Sequence, residues 1–151
     1  MSDTAPPSPD TSKPVLVMGA NGFMGSHVTK QLLSAGRRVR VMVRKSSNTR
    51  ALEGLNVETY YGDITDRSSV LDAMHGCTSV FYNVVDTRAW LVDSSPLYAT
   101  NVEALQTVLG AAIDSQLERF VFTSSMVTLA RYAGTPAIEA SEFDWWHEAP
   151  H

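Results

Sequence analysis

The stretch Val15-Leu16-Val17-Met18-Gly19-Ala20-Asn21-Gly22-Phe23-Met24-Gly25 decides the fold. Four consecutive apolar residues run into glycines spaced three apart, and the apolar positions then recur at helical spacing through Phe23, Val28, Leu32 and Leu33 before Gly36. A short unbroken apolar run suits a strand buried on both faces, and the 3.6-residue recurrence suits a helix laid on a sheet. Gly36 is placed to stop that helix. In the turn, Gly19 permits a tight exit from the strand, Gly22 lets backbone approach a pyrophosphate, and Gly25 lets helix pack close to sheet. The helix start then presents free N–H groups to the anion. Gly19, Asn21, Gly22, Phe23, Met24 and Gly25 are therefore the expected phosphate-facing turn of a dinucleotide site.

Working outward, the sequence predicts strands at Val39–Val43, Val57–Tyr61, Ser79–Val84 and Phe120–Thr123 after the first at Val15–Met18. It predicts helices over Gly22–Ala35, over Ser68–His75 with Val70, Leu71 and Met74 on one side, and over Pro96–Asp114. The last carries a stripe of Val102, Leu105, Leu109, Ala112 and Ile113. Strands alternating with helices imply a parallel sheet, and right-handed crossovers stack them into an α/β doubly wound fold of the Rossmann type, strand order 3-2-1-4-5. Residues 1–13, rich in Pro, Ser, Thr and Asp, read as a disordered tail, and residues 14–151 as one domain. No internal repeat is visible.

With 151 residues, 44% of them hydrophobic and 19% charged, the composition is that of an ordinary globular chain. A net charge of -4 argues against nucleic acid as a partner. The charge is uneven: residues 1–62 carry a balance of +4 and residues 63–151 one of -8, so an anionic ligand is expected on the first half. Cys77 is the single cysteine and has no disulfide partner in the chain, and Gly76 before it makes it a small buried hydrophobe in expectation. No apolar run approaches a membrane span and no secretion signal opens the chain, so the cytoplasm is the expected compartment, with no membrane partner. His27, His75, His147 and His151 show no metal spacing.

At the end of the second strand, where a carboxylate would hydrogen-bond the adenosine ribose of NAD, stands Val43-Arg44-Lys45. A guanidinium there suits a 2′-phosphate by charge and bidentate geometry, which favours NADP over NAD as cofactor. After the third strand, Gly62-Asp63-Ile64-Thr65-Asp66 lies at the carboxyl edge of the sheet. Asp63 is placed to accept from the adenine amino group with Ile64 on the base, and Asp66 to cap the next helix. Arg88 and Trp90 follow the fourth strand at the same edge, where they either meet substrate or anchor a loop. Asp144-Trp145-Trp146-His147 reads as a cover for apolar surface more than as a substrate pocket.

These residues resemble the extended short-chain dehydrogenase/reductases of the NAD-dependent epimerase/dehydratase superfamily, over nearly all of residues 14–135. GANGFMG (19–25) is similar to the family's GxxGxxG, GDITD (62–66) to its adenine-site motif, and VFYNVVD (80–86) stands where the family has VFHxAA. TNVEALQTVLGAA (100–112) and RFVFTSSMVTL (119–129) are similar to two further motifs, and residues 85–98 look most like the dihydroflavonol-reductase-like branch. The resemblance implies that Ser125 is the catalytic Ser/Thr that hydrogen-bonds the substrate hydroxyl or carbonyl, and that Asn101 supports the active site. It also implies that Val84 and Val85 lie beside the nicotinamide ribose, where they replace smaller residues, and that Asn83 departs from an apolar position.

The family's Tyr-x-x-x-Lys pair, whose tyrosine exchanges a proton with substrate, is absent: the lysines are Lys13, Lys30 and Lys45, and four residues after Tyr132 stands Pro136. The expectation is therefore the N-terminal, coenzyme-binding piece of a longer reductase or epimerase. Such a protein transfers hydride at a carbinol or ketone carbon of a small organic or sugar-like substrate, and the piece alone is inactive. A fifth strand without its neighbour would leave an edge open to association, and homo-oligomerisation of a full-length protein stays open. A non-catalytic NADP-binding sensor is the alternative.

Overall fold

The computed structural model describes residues 12–88 and 90–125; the expectations for residues 1–11, Tyr132, Trp145, Trp146, His147 and His151 lie outside the described residues. Strand β1 (Val15–Met18) is buried at all four positions because it has neighbours on every side. It pairs in parallel with β2 (Val39–Val43) on one edge and β4 (Ser79–Tyr82) on the other, Val15 standing opposite both Val39 and Ser79. β3 (Glu58–Tyr61) adds to β2 and β5 (Arg119–Phe122) to β4, so the sheet runs β3-β2-β1-β4-β5, all parallel. The order and class are those read from the sequence.

The strand pleat splits the core into two layers. Leu16 and Met18 join Met42, Val80 and Tyr82 under α2 (Arg67–Met74) and α4 (Ala104–Asp114), through Val70, Met74, Val108 and Ala111. Val17 joins Val39, Val41 and Val43 under Val28, Leu32 and Leu33 of α1 (Phe23–Ser34). Each fully buried Val or Leu contributes about 1.5–3 kcal/mol relative to exposure, so the central strand is the strongest anchor of the sheet. Arg40 ties β2 to the end of α2: its Nη1 donates to the carbonyls of Ala73 and His75 at 2.7 Å, where a helix leaves acceptors unpaired, and its Nη2 pairs with Glu58 at 3.0 Å. Cys77 is half-buried against the first layer, and burial pushes its thiol pKa up.

Several boundaries differ from the sequence reading. Val57, Asn83, Val84 and Thr123 fall outside their strands, and a 3-10 turn at Arg50–Leu52 that periodicity did not show buries Leu52. The predicted helix over Pro96–Asp114 is three pieces: α3 (Ser95–Tyr98), a π-helical turn at Ala99–Glu103, and α4. A π turn holds an extra residue, about 100° of helical phase, which separates Val102 from the stripe residues of α4. Ala104, Val108, Ala111 and Ala112 face the core, whereas Leu109 and Ile113 point outward. Phe23, expected on the buried stripe of α1, is 83% exposed.

This phase makes a testable difference between two apolar residues. Leu16→Ala should cost about 3 kcal/mol through transfer and cavity terms, whereas Ile113→Ala should stay within about 0.5 kcal/mol. Urea unfolding of the two variants beside the parent chain checks it, and a larger loss at Ile113 would contradict the observed register.

Candidate functional site

In an all-parallel sheet every strand delivers its following loop to one edge, and the crevice between the exits of β1 and β4, where the order reverses, is where open α/β folds bind ligands. Gly19 leaves β1 with φ +73°, a conformation that disfavours a side chain, and a Cβ there would lie 2.7 Å from the Asn83 carbonyl oxygen. A Cβ on Gly25 would overlap the Gly19 carbonyl, so the first turn of α1 sits directly on the end of β1. Gly22 closes the turn, its N–H donating to the Gly19 carbonyl at 3.0 Å. No side chain caps α1 and its first turn has no acidic residue, which leaves its leading N–H groups suited to an anion.

A groove of about 600 Å³ opens beside this turn. Of the residues singled out from sequence, Gly19, Asn21, Arg44, Asp63, Ile64, Val84 and Val85 line it, as does Arg88. Gly22, Phe23, Met24, Gly25, Lys45, Asn101 and Ser125 do not. Phe23 and Met24 turn their side chains to solvent, and Lys45 stands exposed in the turn after Arg44. Met42, Ser47, Gly62, Thr65, Asp86, Thr87 and Thr100 also line the groove and were not singled out. The rule that ligands gather where strands end could have found Thr87; Met42 and Thr100 carry no sequence signal. A second cleft of about 640 Å³ lies at the opposite edge, among Pro14, Arg37, Val39, Asn56 and Glu58 at the strand starts. It has neither the glycine turn nor a helix start, so the groove is the better candidate despite its slightly smaller size.

The loop after β3 is held by local hydrogen bonds. Asp63 Oδ1 accepts from the backbone N–H of Thr65 at 2.9 Å and from its hydroxyl at 2.8 Å. These bonds, with the nearby Arg44 charge adding to them, hold the Asp63 carboxyl below its ordinary pKa. Asp66 caps α2, accepting from the Ser68 N–H at 3.0 Å, as its place before the helix predicted.

On the β4 side, Asn101 reaches out of the π-helical turn and clamps Asp86 from both directions. Its Oδ1 accepts from the Asp86 N–H and its Nδ2 donates to the Asp86 carbonyl, each at 2.8 Å. Asn101 thus braces the loop wall and does not itself line the groove. Arg88 donates from its guanidinium to the Asp86 carboxylate, and those bonds, followed by the backbone bond and the charge of Arg88, hold the Asp86 pKa down at about 2. The Thr123 hydroxyl donates to Asn83 Oδ1 at 2.6 Å, linking the exits of β4 and β5. Ser125, exposed two residues further on, lies past the carboxyl end of β5 at the same edge. Trp90 is 76% exposed and does not line the groove.

Fold and groove together define an open α/β domain of the dinucleotide-binding type. A family profile described as the NAD dependent epimerase/dehydratase family matches residues 15–147, and the chain belongs to that family, the extended short-chain dehydrogenase/reductases. It is 34% identical over 110 residues to sterol demethylase protein B of Methylococcus capsulatus, covering 73% of this chain and 34% of that protein. It is 33% identical over 113 residues to a putative dihydroflavonol 4-reductase of Synechocystis sp., covering 75% and 33%. A short-chain dehydrogenase/reductase superfamily protein from Agrobacterium tumefaciens, solved with bound NAD, superposes with a TM-score of 0.63 at 30% identity, covering 74% of this chain and 32% of that one. The chain spans about a third of the length of the curated relatives it matches. Among the described residues, no helix is long and apolar enough to cross a membrane, and no group of three or more His, Cys, Asp or Glu could hold a metal ion.

The Asp86 geometry predicts a pH dependence. Its folded value of about 2 lies below the ordinary 3.8, so as acid is added the unfolded chain takes up this proton first. The Asp86 contribution to stability is therefore whole above about pH 4 and is lost as the pH falls through about 2. In urea titrations at stepped pH, Asp86→Asn should be less stable than the parent at about pH 6, with a deficit that shrinks toward about pH 2. A deficit constant across that window would contradict the ion pair.

Proposed function

We propose that the groove binds NADP in preference to NAD, and that these residues form the coenzyme-binding part of a reductase or epimerase acting at a carbinol or ketone carbon of a small organic or sugar-like molecule. The observation that carries the reading is Arg44. It follows β2 where a ribose-binding carboxylate would stand, and it lines the same groove as Gly19, Asn21 and Asp63. The chain fits such a coenzyme in the places a dinucleotide needs: side-chain-free contacts at Gly19 and Gly25, a Gly22 whose Cβ would crowd the Gly19 carbonyl oxygen at 3.3 Å, and an uncapped helix start.

In this reading the backbone from Gly19 to Gly25 takes the diphosphate and Arg44, with Lys45 beside it, takes the 2′-phosphate. Asp63 and Ile64 take the adenine, and Val84 and Val85 flank the nicotinamide-side ribose. The bound coenzyme supplies a hydride donor or acceptor. The Ser125 hydroxyl orients the substrate oxygen, and Asn101 keeps the β4 loop in place behind the reacting groups. Family membership supports the reaction class. No tyrosine of these 151 residues is followed four places on by a lysine, so in this reading they bind coenzyme without turning substrate over.

Calorimetric titration of the chain with NADPH and NADH tests the coenzyme assignment. A charge-assisted bidentate contact is worth about 1.5–3 kcal/mol, so NADPH should bind about tenfold or more tightly than NADH, and Arg44→Ala should erase the difference. Equal affinity in the parent chain, or a preference that survives Arg44→Ala, would overturn the role of Arg44.

A further inference from the structure

Arg88 is a groove-lining cation that the coenzyme reading leaves without a task. Its Nε hydrogen-bonds Asp86 Oδ1 at 2.9 Å and Oδ2 at 3.1 Å, its Nη2 also reaches Oδ2, and its backbone N–H donates to Oδ1 at 3.1 Å. A guanidinium carries its N–H donors in a flat fork. With one edge turned to Asp86, the opposite edge, which bears Nη1, makes no hydrogen bond among the described residues. Exposure sorts the pair: the Asp86 side chain is 9% exposed and that of Arg88 is 51% exposed, so of these two groove-lining groups the guanidinium is the more accessible.

The arm is also fixed from behind. Asp86 is clamped by both hydrogen bonds of the Asn101 amide, and Asn101 sits in the π-helical turn, a rare geometry that gathers at functional sites. A donor fixed in advance loses little freedom when it takes a ligand.

We infer that Arg88 recognises an oxyanion, a phosphate or carboxylate group, at the β4-side wall of the groove. The location rests on the coenzyme reading above. Two molecules could bring that group to it: the coenzyme through its diphosphate, or the substrate through an acidic substituent.

Calorimetric titrations of the full chain, as parent, Arg88→Gln and Arg88→Lys, separate these sources. The probes are NADP⁺, adenosine 2′,5′-bisphosphate, which lacks the diphosphate linkage, and inorganic phosphate added to the NADP⁺-saturated chain. If the diphosphate is the anion, Arg88→Gln weakens NADP⁺ binding about tenfold and leaves the bisphosphate unchanged. If the substrate carries it, NADP⁺ binding is unchanged and phosphate binding to the saturated chain is lost. Arg88→Lys, which keeps the charge without the fork, recovers only part of either loss.

All three titrations unchanged in Arg88→Gln would overturn the inference and leave the coenzyme reading standing. A parent chain that binds no nucleotide would end the coenzyme reading instead. Phosphate on the free chain then decides for Arg88 if binding is lost in Arg88→Gln, and against it if binding is absent or unaffected. Should Arg88→Gln fail to fold, Asp86→Asn frees the arm with Arg88 intact; a weaker response to the same probes supports the inference and an unchanged one overturns it.

Discussion

The arrangement depends on a close approach of main chain to main chain at Gly19. There β1 leaves the sheet with φ +73°, and no Cβ fits between this residue and the Asn83 carbonyl or between Gly25 and Gly19 itself. The glycine turn is thereby pressed against the start of the loop after β4, and α1 against the end of β1. A side chain at either point would push the helix off the sheet, and the wall carrying Val84 and Asp86 would part from the wall carrying Asn21. The groove is a consequence of that contact combined with the parallel sheet, which brings the exits of its strands to one edge.

Much of the fold was legible because burial on both faces leaves its mark on the sequence. Val15–Met18 and Val39–Val43 match the structure residue for residue, since an apolar run with no polar alternation has few places to lie except the middle of a parallel sheet. Strand ends were less legible, for a reason that lies in the partner. β4 pairs with β1 only as far as Tyr82 opposite Met18, because Gly19 turns away, and Val84 is left in the loop although its composition reads as strand. The stripe of α4 shows the same kind of failure. Val102 lies in the π turn at Ala99–Glu103, which no glycine or proline announces; within the regular helix Leu105 and Ala112 do pack on the core, while Leu109 and Ile113 lie at the outer margin of that face.

The candidate site divides along a similar line. The glycine turn, Arg44 and Asp63 could be found because each follows directly on a strand, so their place at the carboxyl edge is set by topology. Counting charge by halves placed any anion on the first half of the chain, the half that holds Arg44. Arg88, from the more acidic half, shows where such counting stops: the crossover from β3 to β4 brings a loop of the second half beside the glycine turn of the first. Contacts over a few ångströms decide the local field, while the sum over a hundred residues is screened within about 8–10 Å. Asp86, a carboxylate that would repel a diphosphate, is neutralised by its own neighbour two residues on.

Asn101 shows how helix geometry reaches the groove. The resemblance to a family implied a supporting role for it, and in the structure it holds the backbone of Asp86. Two hydrogen bonds from one amide hold a loop residue by both its donor and its acceptor, which fixes position and orientation together. With that stretch wound as an ordinary α-helix, the phase between Asn101 and the core face of α4 would shift by about 100°, and α4 could not present Val108 and Ala111 to the sheet while Asn101 faced Asp86. The π turn reconciles the two demands. A local departure from regular helix thus sets the loop, and the loop sets the wall that any bound molecule meets.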